Sequence, residues 1–137
     1  MSTSDDVIDK RMANALFAEA EPGRAARWML GLEGRAGLAI AKRLVGGIWV
    51  GGNARLRPET LEFHPNRLNR LAHGNADALS IVIPLREIKA VTDRFGVATR
   101  IIDIQTQEAT LSLRCYRAMA FAQAIEAARR RAAGDTS

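Results

Sequence analysis

Cysteine is nearly missing: Cys115 stands alone in 137 residues. One thiol excludes an internal disulfide and a cysteine-based metal cluster within one chain. Lysine is scarce, three residues against seventeen arginines, and histidine occurs only as His64 and His73. There is no long apolar run either. The best candidate, "AGLAIAKRLVGGIWVGG", is interrupted by Lys42-Arg43 and by the pairs Gly46-Gly47 and Gly51-Gly52. A membrane-spanning helix needs roughly 20 predominantly apolar residues without such breaks. The start, "MSTSDDVIDK", is acidic and polar where a secretory signal needs a basic start and an apolar run. The expectation is a soluble, cytoplasmic protein.

What is present fits one globular domain with a single core: 47% apolar and 26% charged residues. The net charge of +5 favours anionic partners. An Arg- and Ala-rich composition is equally accounted for by genomic bias.

Residues 4–20 carry Ser4 as a cap, Asp5 and Asp6 at the positive end of the dipole, and Ile8, Met12, Ala15 and Leu16 as a stripe. That pattern predicts an N-terminal helix, ended by Pro22-Gly23. "RWMLGLE" is a plausible first strand. From Gly47 the period becomes two: Ile48, Val50, Gly52, Ala54 and Leu56 share one face, and Trp49, Asn53, Arg55 and Arg57 the other. Pro58-Glu59 turns the chain, and Leu61 and Phe63 point inward again, so 47–64 reads as a β-hairpin. An extended polar loop, 65–78, follows. "LSIVIPL" is a strand, "REIKAV" a connector or strand, and "ATRIIDIQT" and "ATLSLRC" two strands joined near Gln107-Glu108. Ala118, Phe121, Ile125 and Ala128 recur at helical spacing in the last segment, with Arg129 to Arg131 at its cation-favouring end. The chain divides into a helical extension, 1–22, a β domain closed by a helix, 23–133, and a tail, 134–137.

The runs "GGNARLRPETLEFHP", "IVIPLREIKAV", "IIDIQTQEATLSLRC" and "AFAQAIEAARR" resemble the GRAM and bacterial pleckstrin-homology-like domains over residues 47–131. The likeness is one of hydrophobic spacing. It implies a mainly β fold, a two-sheet barrel capped by the C-terminal helix, with the N-terminal helix as an addition. Such domains are lipid- or protein-binding modules without a catalytic centre. The resemblance also implies a place for a ligand. In members that hold phosphoinositides, the first loop and second strand supply a loose Lys…Arg-x-Arg pattern. Lys42 here precedes Arg55-Leu56-Arg57, and the segment from Arg24 to Arg57 holds seven cations against Glu33 alone. Cations at i and i+2 project in parallel from a strand, as a phosphorylated head group requires. The flank "LAIAKRLV" can also enter the membrane interface while Lys42 and Arg43 meet anionic lipid. It reads equally as a core-facing helix or strand with two solvated charges.

Other chemistry is poorly supported. The histidines, with Glu59, Glu62 and Asp77 nearby, make no recognisable zinc spacing. Cys115 shares the inward parity of Leu111 and Leu113 and reads as a small core residue. "VGGIWVGGN" lacks the Lys-Ser/Thr of a phosphate loop, so its glycines relieve a bent strand or admit a close backbone. The sequence therefore predicts no enzyme, no cofactor and no metal. It predicts a non-catalytic module that associates peripherally, at the inner face of the membrane, with anionic lipid through Lys42, Arg43, Arg55 and Arg57. The alternative is a protein-interaction or self-association module, including strand addition at an exposed edge. Nucleic acid is disfavoured: single-strand binders interleave cations with exposed aromatics, and Trp49 and Tyr116 are the candidates here.

Overall fold

A computed structural model describes residues 6–19, 25–31, 35–66, 79–96 and 100–134. The elements in order are β1 (Asp9–Glu19), β2 (Met29–Leu30), α1 (Arg35–Val45), β3 (Val50–Leu56), β4 (Thr60–Pro65), β5 (Ser80–Pro84), β6 (Ala90–Phe95), β7 (Arg100–Gln105), β8 (Thr110–Cys115) and α2 (Ala118–Ala132). Single 3-10 turns at Ala26–Trp28 and Leu85–Glu87 lead into β2 and follow β5.

The N-terminal helix is the main correction, because its described residues form β1. The expected stripe is split: Ile8 and Met12 are exposed, Met12 at 78%, while Ala15 and Leu16 are buried together with Ala13 and Phe17. Alanine-rich sequence favours a helix locally, but β1 pairs antiparallel with β3 along its first half and with β8 along its second. Ladder bonds on both edges override local propensity.

The barrel is also corrected. The strands form one continuous antiparallel sheet in the order β2-β5-β4-β3-β1-β8-β7-β6. An 11-residue β1 is long enough to serve both halves, so they are not separate sheets. The ends, β2 and β6, do not pair with each other, and the sheet stays open.

The later strands follow the sequence. Val50, Gly52, Ala54 and Leu56 face inward against Leu61 and Phe63 of β4, and Ile81 and Ile83 of β5 continue the layer. At Gly52 a Cβ would lie 2.4 Å from the His64 carbonyl oxygen and 2.8 Å from Phe63 Cζ, so only glycine allows this approach of β3 to β4. "REIKAV" resolves into the 3-10 turn and the start of β6. The stripe Ala118, Phe121, Ile125 and Ala128 is buried, so α2 closes one side of the core as predicted. The loop expected at 65–78 falls, beyond Asn66, outside the described residues.

Candidate functional site

The segment left open as helix or strand is α1. It buries Ile40, Ala41 and Leu44 and presents Leu38, Lys42 and Arg43 to solvent. Its end explains the first glycine pair. Gly47 has φ +80, its N–H donates to the Leu44 carbonyl at 3.3 Å, and the Ile48 N–H donates to the Arg43 carbonyl at 3.0 Å. These are the two bonds of a Schellman cap. The cap pins exposed Ile48 beside the backbone of Arg43. One corner of the molecule thus carries two cations, Lys42 and Arg43, and two exposed aliphatics, Leu38 and Ile48. Both cations sit in the last turn, where the helix dipole favours positive charge.

Arg55 and Arg57 lie elsewhere. β3 starts two residues after Ile48 and carries Arg57 away from the corner by roughly 20 Å of strand rise. Arg57 Nε is 3.0 Å from Glu62 Oε2, with the side chain only 19% exposed. Glu62 also accepts from His64 Nε2 at 3.0 Å and from Thr60 Oγ1 at 3.1 Å. Burial pushes the Glu62 carboxyl up, but the bonds from His64, Arg57 and Thr60 outweigh it and hold it below the usual carboxylate value. Arg55 is half-buried between Lys10 and Glu62 across the ladder, and its Nε is buried without a partner. The four residues expected to act together are therefore two exposed cations at one corner, an arginine paired with Glu62, and a half-buried Arg55 beside it on the strand.

His64 is held by Glu62; His73, Arg67 and Arg70 lie outside the described residues. No group of three or more potential ligands for a metal occurs among the described residues. Cys115 is buried, and desolvation raises its thiol pKa, with Arg11 opposing. A thiol in that setting is a weak nucleophile.

The outer face of β1, β3 and β8 holds a cavity of about 340 Å³ that the sequence reading missed. Gly51 is its floor; Met12, Asn14, Asn66, Arg114 and Tyr116 stand around it. The signal lay in the alternation Met12-Asn14 on β1 and Arg114-Tyr116 at the end of β8, masked by reading 4–20 as a helix.

No family model matches the chain, and no curated protein does. Solved structures do. The C-terminal domain of an unknown protein from Leishmania infantum aligns with a TM-score of 0.52 and 15% identity, over 90% of this chain and 84% of that one. The Vps36 N-terminal PH domain aligns with a TM-score of 0.54 and 12% identity, over 92% of this chain and 80% of that one. The fold is pleckstrin-homology-like. At such identity the likeness concerns the fold, and function has to be argued from surface chemistry. In this PH-like chain α1 and β2 lie between β1 and β3, the strands of the first sheet half. No helix among the described residues is long and apolar enough to cross a membrane.

Proposed function

We propose that this PH-like chain is a non-catalytic binding module that docks peripherally on anionic lipid through the corner where α1 meets β3. The observation that carries this reading is the grouping of exposed Lys42 and Arg43 with exposed Leu38 and Ile48 (46% and 48%). Each cation near an anionic leaflet contributes about 1 kcal/mol, and the aliphatics add area buried at the interface. Two cations alone give weak, reversible association. The GRAM-like spacing of residues 47–131 supports a lipid- or protein-binding role. Arg55 and Arg57 contribute to the basic field and not to the contact, because Glu62 already engages Arg57. The module then works in the cytoplasm, against the inner face of the membrane.

The test is vesicle co-sedimentation with neutral and with anionic phospholipid, using the wild type and Lys42→Glu/Arg43→Glu. Both side chains are exposed, so the variant keeps its fold. Sedimentation with anionic vesicles only, lost in the variant, supports the reading; none in any condition removes it. A second reading, protein recognition by strand addition, is favoured by β6, which ends the sheet and leaves Phe95 75% exposed. Peptide capture blocked by Phe95→Asp, with no vesicle binding, selects that reading.

A further inference from the structure

The outer-face cavity is separate from the lipid corner and is built differently. It lies over β1, β3 and β8 where β1 passes from one partner strand to the other: Met12 pairs with Asn53 of β3 and not with β8, and Gly51 pairs with Asn14 of β1 and not with β4. The lining among the described residues has no carboxylate and one guanidinium, Arg114. A multiply phosphorylated head group needs several converging cations, and they are absent here.

The cavity instead offers a planar wall, free amides and one cation. Tyr116 is 83% exposed and Met12 is 78% exposed, two large side chains that the core does not use. The Asn14 side chain makes no hydrogen bond among the described residues. Asn66 Oδ1 accepts from Asn53 Nδ2 at 2.8 Å, which leaves the Asn66 amine free to donate. An amide presents donor and acceptor together, the pattern that the polar edge of a base matches. The Arg114 guanidinium rests 4.4 Å from the Trp49 ring centroid, oriented by stacking and not by an ion pair among the described residues. Gly51 leaves the floor open: a Cβ there would already lie 3.2 Å from Asn14 Oδ1. Beyond Tyr116 a shallow hollow continues along Arg100, Arg117 and Met119. There Arg100, already paired with Asp93, stands 4.1 Å from the Phe95 ring centroid, so the hollow offers a ring face more than a free cation.

We propose that this cavity binds a nucleotide as one unit of a single-stranded nucleic acid, with the base against Tyr116, its edge on Asn14 and Asn66, and phosphate on Arg114. The hollow toward Arg100 and Phe95 takes the neighbouring unit. The structure adds exposed Phe95 to Tyr116, the aromatic that the sequence already offered.

The probe is a short fluorescein-labelled single strand of mixed sequence, as RNA and as DNA, followed by anisotropy at about 50 and about 150 mM salt. Tyr116→Ala is expected to weaken binding about tenfold, Tyr116→Phe to stay within about twofold because the ring face persists, and Arg114→Gln to flatten the salt dependence. Lys42→Glu/Arg43→Glu is expected to retain the Tyr116-dependent component, so failure of the lipid reading does not decide this one. Absence of binding, or binding indifferent to Tyr116→Ala, overturns the proposal and leaves only the non-specific attraction of a basic protein. Displacement of the strand by an acidic polypeptide, with the same sensitivity to Tyr116→Ala, overturns it in favour of an acidic protein partner. Side-chain amide shifts of Asn14 and Asn66 with the strand support the proposal. Shifts with mononucleotides alone overturn it in favour of a free nucleotide.

Discussion

The guanidinium of Arg11 holds the backbone of Arg117: Nη1 donates to the Arg117 carbonyl at 3.2 Å and to the Tyr116 carbonyl at 3.0 Å. The same side chain is oriented by Asp9, 3.0 Å away, and lies over the Phe121 ring at 5.3 Å. Arg117 has φ 54 and ψ 49, a left-handed conformation that non-glycine residues rarely adopt. Arg11 thus ties β1 to the strained turn from β8 into α2.

Arg11→Ala is expected to lower stability by about 2–3 kcal/mol, since charge-assisted bonds to two carbonyls and a ring contact are lost together. Chemical denaturation measures it. Arg117→Gly is expected to move the other way, by about 1 kcal/mol, because glycine adopts this conformation without a Cβ clash.

Glu62 makes stability depend on pH. Its folded pKa lies below the ordinary carboxylate value, so its contribution is fully present above the unfolded pKa and is lost as pH falls through the folded one. Urea midpoints followed from neutral to acid pH are expected to fall less steeply on the acid side in Glu62→Gln than in the wild type.

Gly52→Ala is expected to cost roughly 2 kcal/mol or more, because its Cβ meets backbone and ring atoms that cannot move without opening the β3–β4 ladder. Gly47→Ala, with open space around its Cβ, suffers only the left-handed φ and is expected to cost about 1 kcal/mol. Thermal unfolding of both variants gives the ranking.

Vesicle binding is expected to weaken with rising salt, as exposed charges are screened. Arg57→Gln is expected to leave it within about twofold, because Arg57 is paired with Glu62 and remote from the corner. A loss equal to that of Lys42→Glu/Arg43→Glu would return Arg57 to the contact.

The sequence was most legible where one face is buried and the other wet. In β3, β4 and β5 the alternation and the turn at Pro58-Glu59 leave one register, and in α2 the stripe names its buried face. β1 was illegible because Ala15, Leu16 and Phe17 are buried in succession and Ala13 carries little signal, so no clean period of two shows, and its partners lie far along the chain. The candidate site was half legible. Charge located Lys42 and Arg43, but parity alone could not reveal that Glu62 occupies Arg57, or that the cap at Gly47 brings Ile48 to Arg43. The cavity needed β8, β1 and β3 side by side, an arrangement known only once β1 is recognised as a strand.

The pairing of Ala13 with Cys115 has a consequence for biosynthesis. β1 leaves the ribosome before β8, and its second edge finds a partner only after the intervening strands and α1 have been made. Loop closure over such a separation is slow. Until β8 arrives, half of the central strand is an unsealed edge, and the nascent chain is open to pairing with a wrong strand while the six strands between them are made.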